Sequence, residues 1–453
     1  LWNEGTYRVI LKVKPDLDKE VRLFHADGGD TIVQMNERML IPTYAADVER
    51  SMSLFWSAVR YGFIFGFTIF LIVMIAAGLI GRALGTDKHQ RGARLTDAKK
   101  VKKIITSWNK IEAKKTGLTK YEPYELVGVP YPLRSETQHT MFVGSTGSGK
   151  TQGIAKVIAQ IKARGDRAVV YDKMRSFPEQ FYDPEHDIIL NPLDSRCPAW
   201  DIFADARHIV DWENMAQAFI PDGEGDPIWH TTARSVFAHT ANRMVKASKK
   251  GGKRPTIKAL IYLLLKSSDE ELSDFLGGSP AGIHINPANS RTTGSIRTTL
   301  ADAIRSIGYI RDPKPEEKAF SIREWIKDDD RQGIVFLSSR DDIHTVLQPL
   351  ITMWIAVFTS ALMSQERSSS RLIWFILDEL PTLNRLPGLE RSLAEARQYG
   401  ACFLIGLQLI SQLRDLYGND KADSIVGLTR NKLVFNPGDP ITAEVMSKFI
   451  GSK

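Results

Sequence analysis

The run Gly144-Ser145-Thr146-Gly147-Ser148-Gly149-Lys150-Thr151 places two glycines five positions apart, directly ahead of Lys and Thr. These are the residue types that a chain of phosphates needs. Glycines let the backbone turn tightly, so that successive N–H groups point into one concavity. That concavity, followed by a helix N-terminus, favours phosphate oxygens. Lys150 supplies an ammonium for the terminal phosphates, and Thr151 offers a hydroxyl to Mg²⁺. The expected ligand is therefore ATP with Mg²⁺, held by Gly144, Ser145, Thr146, Gly147, Ser148, Gly149, Lys150 and Thr151.

A second group of candidates lies far along the chain. The bulky apolar run Arg371 to Leu377 ends in Asp378-Glu379. An acid at the end of such a strand can sit beside the Mg²⁺ shell, which suits Asp378. Its neighbour Glu379 can polarise an attacking water as general base. The run Cys402 to Leu407 ends at Gln408, which either senses the γ-phosphate or simply closes a strand. Arg397 precedes that run. It is either a surface arginine or one that reaches a neighbouring subunit's nucleotide.

The elements that must carry these residues follow from patterning. Thr140 to Val143 reads as a buried strand entering the loop, and Ile154 to Ile161 as the helix leaving it. Strands are also expected over 168–172, 187–192, 333–337, 371–379, 402–407 and 431–435. Between them, residues 200–309 read as helices over 215–220, 229–245, 257–265, 270–276 and 292–307. Lys150 and Asp378 are 228 positions apart, more than a compact α/β core requires. We expect an α/β nucleotide-binding domain over 136–199 and 330–453, with an all-α domain over 200–329 inserted into it.

Ahead of this core, Tyr61 to Gly81 contains no charged residue. A helix of about 20 apolar residues spans a bilayer, although a buried core helix is the alternative. We place a transmembrane helix at 59–82, with Trp56 and Tyr61 at one interface. Residues 1–58 carry 7 Lys/Arg and 9 Asp/Glu, whereas 81–120 carry 12 and 3. The basic flank faces the cytoplasm, which puts residues 1–58 outside. That first segment is expected to be a small α+β unit. Strands fall over 6–13, 21–24 and 31–33, a turn over 27–30, and a helix near its end. Residues 83–135 form a basic linker interrupted by Trp108. It is either a solvated stretch beside lipid headgroups or a nucleic-acid contact. The start at Leu1 rather than Met leads us to expect a further membrane helix before it, and the stop at Lys453 a continuation after it.

Bulk properties agree with a folded protein of several domains, since 43% of residues are hydrophobic and 25% charged. The net charge of +7 suits an anionic partner without choosing between nucleic acid and membrane. Cys197 and Cys402 are too few for a disulfide framework or a metal site and read as reduced thiols.

Longer runs extend this reading. Arg91-Gly92-Ala93-Arg94-Leu95-Thr96 follows the apolar helix. Tyr182-Asp183-Pro184, then Ile188-Ile189-Leu190-Asn191-Pro192-Leu193-Asp194-Ser195-Arg196-Cys197 and Ala199-Trp200-Asp201, form a second signature. Asp378-Glu379-Leu380-Pro381-Thr382-Leu383, then Glu395-Ala396-Arg397 and Gly406-Leu407-Gln408, form a third. With the phosphate loop, these make nearly the whole chain resemble the type IV coupling proteins of conjugative plasmids, most closely the TraD-like branch. The resemblance implies a RecA-like fold with an all-α insertion and a homo-hexamer in the bacterial inner membrane, its ATPase domain in the cytoplasm. It implies coupling of a relaxase–DNA complex (the relaxosome) to the proteins of a type IV secretion channel, helped by ATP hydrolysis. DNA contacts would be largely sequence-independent. Residues 1–58 would lie in the periplasm, and Arg397 would align with a segment proposed to act in trans on a neighbour's nucleotide. Two other functions share these features: a nucleotide-gated docking platform without motor activity, and an FtsK-type chromosome-segregation translocase.

Overall fold

The computed structural model describes residues 19–24, 30–35, 37–84, 96–118, 122–223 and 226–450. Two compact units make up the chain, residues 1–92 and 93–453.

In the first unit, β1 (Lys19–Phe24) pairs antiparallel with β2 (Asp30–Met35). Val21 stands opposite Val33, and Leu23 opposite Thr31. The expected strand over 6–13 and most of the turn over 27–30 lie outside the described residues. A single helix, α1 (Glu37–Leu84), then runs for 48 residues. The sequence led us to expect separate helices on either side of residue 58. From Thr43 to Tyr61 there is neither Gly nor Pro, so nothing ends the helix there. Its stretch Glu49–Leu79 is long and apolar enough to cross a membrane, with a mean hydropathy of 2.5. Phe63, Phe65, Phe70 and Ile72 on it are exposed within the unit.

The second unit is built on a seven-stranded, all-parallel sheet. A short ladder, β3 (Glu125–Leu126) with β4 (Val129–Pro130), precedes it. The sheet strands are β5 (Thr140–Val143), β6 (Arg167–Asp172), β7 (Ile188–Leu190), β8 (Gly333–Ser338), β9 (Ile373–Leu377), β10 (Ala401–Leu407) and β11 (Asn431–Val434). Their order across the sheet is β11-β5-β10-β9-β6-β8-β7. Alternate residues point to opposite faces, as the pleat requires. Phe142, Val170, Trp374 and Leu404 enter one core. Met141, Val143, Tyr171, Phe375 and Phe403 enter the other. Both faces are buried, which explains why these strands read as continuous apolar runs.

Helices cover both faces. The basic α2 (Ala98–Thr116) comes first, then α3 (Lys150–Arg164) and α4 (Ser176–Phe181). Ile154, Val157, Ile158 and Ile161 of α3 close the smaller core. Then come α5 (Ile202–Asp205), α6 (Ile209–Phe219), α7 (Pro227–Lys249), α8 (Ile257–Ile261), α9 (Asp269–Leu276), α10 (Ser290–Ile307) and α11 (Ile322–Lys327). This helical block runs from Ile202 to Lys327. Its side chains belong to the same continuous core as the opposite face of the sheet. Entry and exit of the block are clasped together. Phe320 N–H donates to the Ala199 carbonyl at 2.7 Å, and Asp201 N–H to the Phe320 carbonyl at 3.0 Å.

No helical period marks α12 (His344–Met363), because it is buried on nearly every side. It is long and apolar enough to cross a membrane, yet 61% of its apolar stretch is buried, so it is a core helix. The last helices are α13 (Leu389–Glu395), α14 (Ile410–Tyr417), α15 (Asn419–Leu428) and α16 (Pro440–Ile450). Cys402 is fully buried and Cys197 partly so. Both are free thiols, and burial raises the Cys197 thiol to about 11.

Candidate functional site

All the parallel strands release their C-terminal ends on one edge of the sheet, where open α/β folds bind ligands. Three adjacent strand ends, those of β5, β10 and β9, deliver the candidates. From β5 the chain enters the glycine loop, whose first N–H donates to the Leu407 carbonyl at 3.2 Å. Ser145 N–H and Oγ both donate to the Asn436 carbonyl at 3.0 Å, so the residues after β11 form the loop's floor. Gly147 and Gly149 have φ of 76° and 102°, conformations that a side chain would strain. Gly149 caps α3, and Lys150 and Thr151 open its first turn. Lys150 is 7% exposed, whereas Thr151 faces solvent.

Strand order explains how the other candidates meet. Because β10 lies between β5 and β9, Gln408 at its tip must neighbour both the loop and the acid pair. Thr146 Oγ1 donates to Gln408 Oε1 at 3.1 Å, and Gln408 Nε2 donates to Glu379 Oε2 at 3.0 Å. The Lys150 ammonium reaches the same Glu379 Oε2 at 3.4 Å. Glu379 Oε1 is buried without a hydrogen-bond partner, as is Ser148 Oγ. One polar chain thus links Thr146, Gln408, Glu379 and Lys150, with an acceptor left open beside it.

Asp378 stands next to this chain, its N–H donating to the Tyr171 carbonyl at 3.2 Å. Burial raises its carboxyl to about 7, helped by the charges of Asp172 and Glu379 and opposed by Lys150. Asp172, at the tip of β6, is fully buried and accepts from Met174 N–H, Ser176 Oγ and Phe177 N–H. It holds the turn after β6. Among the described residues, no group of three His, Cys, Asp or Glu forms a ready metal site. A hydroxyl, one carboxylate and phosphate oxygens suit Mg²⁺, which keeps several waters and few protein ligands. The open Glu379 Oε1 and the crowded acids at Asp378 fit a divalent cation with a phosphate chain.

The backbone of the acid pair is held by Thr382, Tyr171, His344 and Gln348, none of which had been assigned a role. Thr382 Oγ1 donates to the Glu379 carbonyl at 2.7 Å and lies 2.7 Å from the Tyr171 hydroxyl. The Thr382 carbonyl meets His344 Nε2 at 2.8 Å and accepts from Gln348 Nε2 at 3.0 Å. Only Thr382, three positions after the acid pair, carried a local signal. Tyr171, His344 and Gln348 come from β6 and α12 and are adjacent only in the fold.

Arg397 is not brought to this edge. It is exposed in the turn just before β10, whereas Gln408 follows the end of β10. Seven strand residues at about 3.3 Å each separate the two edges by roughly 23 Å. Arg397 opens instead onto a cleft that Arg134 and Arg367 also line.

Known proteins resemble this chain in sequence and in fold. The coupling protein TraD of Escherichia coli (strain K12) is 32% identical over 389 residues, covering 85% of this chain and 52% of TraD. An Escherichia coli conjugal transfer protein TraG is 22% identical over 364 residues, 71% of this chain and 56% of TraG. The chain thus spans about half the length of the curated relatives it matches. Among solved structures, unbound bacterial conjugative coupling protein TrwB lacking its N-terminal segment aligns with a TM-score of 0.68 and 29% identity, over 79% of this chain and 81% of that one. Plasmid coupling protein TrwB in complex with ADP and Mg²⁺ aligns with a TM-score of 0.67, 29% identity and 79% and 81% coverage. Residues 123–453, more than half of the chain, match the family described as the type IV secretion-system coupling protein DNA-binding domain, and the chain belongs to that family.

Proposed function

We propose that this chain is a membrane-anchored, ATP-hydrolysing coupling protein that brings a relaxase-bound DNA substrate to a type IV secretion channel and helps drive its transfer. The observation that carries the reading is the polar chain Thr146–Gln408–Glu379–Lys150 beside Asp378, assembled from the ends of three adjacent strands. TrwB, a relative with the same fold, has been seen with ADP and Mg²⁺.

In this reading the backbone of Gly144 to Gly149 cradles the phosphates, and Lys150 leaves Glu379 for the terminal phosphate. Thr151 and Asp378 hold Mg²⁺, which neutralises the charge developing on the phosphates. Glu379, released from Lys150, orients water and takes its proton as general base. Gln408 reports the γ-phosphate to Thr146 and Glu379. Arg397 serves a neighbour's nucleotide across a homo-hexameric interface, since its distance from its own loop leaves no role there.

For the domains, we assign the RecA-like core to 136–199 and 330–453, the inserted all-α domain to 200–329 and the basic connection to 83–135. Residues 59–82 cross the bacterial inner membrane, residues 1–58 are periplasmic, and the ATPase domain is cytoplasmic. The exposed apolar surface of α1 and the Lys/Arg excess after it support this.

The test is ATP turnover by the full chain in lipid nanodiscs, with and without DNA, across salt concentrations. Turnover should rise with DNA, and the rise should shrink as salt increases, because phosphate contacts release counterions. No stimulation by DNA in any assembled form would sink the motor in favour of the docking platform.

A further inference from the structure

The helix α2 is not a loose connector. Asp97 caps its start, accepting from Lys100 N–H at 2.8 Å, and Gly117 ends it in a left-handed turn. Asn109 is 7% exposed and pins the helix to the body of its unit. Its amide donates to the Tyr131 carbonyl and accepts from Leu133 N–H, both at 2.8 Å. Val101, Ile105 and Ala113 share that inward side and are half-buried. The pin decides which face the helix turns outward.

That outward face is apolar where it need not be. Ile104, Trp108 and Ile111 fall at i, i+4 and i+7 and form one strip along the helix. They are 55%, 44% and 57% exposed, so the described residues of their own unit leave about half of each uncovered. Lysines border the strip, Lys100, Lys103, Lys110 and Lys114 on one side and Lys115 beside Trp108. The only acid on α2, Glu112, is paired with Lys115 at 3.6 Å. An indole and two branched side chains rimmed by lysines form the surface of a helix that lies in a lipid headgroup layer. A nucleic-acid backbone would use the lysines but has no use for an exposed Ile-Trp-Ile strip.

The chain itself limits where this face can go. Only 13 residues, 85–97, join the end of α1 to α2. Fully extended, they reach about 45 Å. If α1 crosses a bilayer, the start of α2 is held within that distance of the membrane surface.

We propose that the Ile104–Trp108–Ile111 face of α2 lies on the anionic surface of the membrane that α1 crosses. The lysines meet the lipid phosphates, and the strip enters the boundary between headgroups and acyl chains. The fixed contact through Asn109 ties that face to the body of its own unit. This proposal rests on the membrane-span reading of α1.

The test uses nitroxide labels on the full chain carrying Cys197→Ser, with Cys402 buried. Single labels go in through Ile72→Cys, Trp108→Cys and Thr106→Cys. Thr106 is exposed and about 200° around the helix from Trp108. Accessibility to oxygen and to a water-soluble nickel chelate is read in nanodiscs of mixed phosphatidylglycerol and phosphatidylcholine, and of phosphatidylcholine alone. The label at 108 should gain oxygen contact and lose nickel contact severalfold in the anionic discs. It should return towards water in the neutral ones, and replacing Lys100, Lys103, Lys110 and Lys114 with Gln should do the same. The label at 106 should stay aqueous throughout. A lipid-buried label at 72 with an aqueous one at 108 in both discs overturns this proposal and leaves the span. An aqueous label at 72 overturns both. Shielding of 108 that appears only with added DNA assigns the face to nucleic acid. Shielding that is equal in both discs and tracks oligomer formation assigns it to a second copy. Either result overturns the proposal.

Discussion

The side chains of Lys150 and Glu379, 8% and 16% exposed, bring an ammonium and a carboxylate to 3.4 Å. A phosphate chain at Lys150 would compete with Glu379 for the ammonium, and loss of that contact would free the proposed base. Glu379→Gln keeps the side-chain shape but removes both the ion pair and the basicity. We expect it to bind MgATP at least as tightly as the parent chain, because the phosphates no longer compete with a carboxylate. ATP turnover should fall about 10²- to 10⁴-fold, the usual contribution of a positioned base. Binding of a fluorescent nucleotide and steady-state hydrolysis, measured on one preparation, check both halves. Turnover near the parent level would falsify the assignment of Glu379.

Gly406 is the point at which β10 passes the acid pair. A Cβ built there would lie 2.0 Å from the Asp378 carbonyl oxygen, a backbone atom that cannot swing away. Gly406→Ala should cost about 1–3 kcal/mol through overpacking and should move Asp378. Gly427, on α15, has nothing within 4 Å of such a Cβ. Gly427→Ala should instead be neutral or stabilise by about 0.5–1 kcal/mol. The thermal midpoint should fall for Gly406→Ala and should hold or rise for Gly427→Ala. The Mg²⁺ dependence of ATP turnover should weaken only for Gly406→Ala.

Much of the site was legible in the sequence, because its chemistry sits in short contiguous runs. Gly144 to Thr151, Asp378-Glu379 and Gln408 each occupy a strand end, and burial on both faces makes those strands read as apolar blocks. What escaped depends on pairings across the chain. His344 and Gln348 belong to α12, whose apolar character on all sides leaves no helical period to detect. Arg323 meets Asp205 across 118 positions. The reach of α1 back to Glu37 escaped for a different reason: charged and polar residues precede the uncharged stretch, yet 43–61 hold neither Gly nor Pro to divide the two.

Stability should depend on pH through His139. It is 1% exposed, its Nδ1 accepts from Phe403 N–H at 3.1 Å, and its Nε2–H donates to the Leu393 carbonyl at 2.8 Å. Burial lowers its pKa from 6.5 to about 4, with the Leu393 carbonyl opposing and Arg397 adding. The unfolded chain therefore takes up a proton near 6.5 that the folded chain refuses until about 4. The contribution is complete above pH 6.5 and is lost as pH falls towards 4, to an extent of about 3 kcal/mol. Urea midpoints should fall over that window more steeply for the parent than for His139→Gln, which cannot titrate. Parallel slopes would remove His139 from the account.

Arg323 holds the neck of the helical block. Its guanidinium meets Asp211 at 2.6 Å, its Nε–H donates to the Asp205 carbonyl, and only 5% of the residue is exposed. Asp205 itself is fully buried and accepts from Trp200 Nε1–H, Ser321 Oγ, Ile322 N–H and Arg323 N–H. These contacts join the entry of the block to its exit. Removing one partner of a buried pair leaves the other charge without compensation, which typically costs 3–5 kcal/mol, so we expect about that loss for Arg323→Ala. Arg323→Lys keeps a charge for Asp211 but not the planar fork, and should lie between the two. The block and one face of the sheet share a single core, so the loss should appear in one cooperative transition. Scanning calorimetry of the 93–453 unit, with limited proteolysis read for cuts within 202–327, checks this. Two separate transitions would mean that the block folds on its own and that the neck is only a hinge.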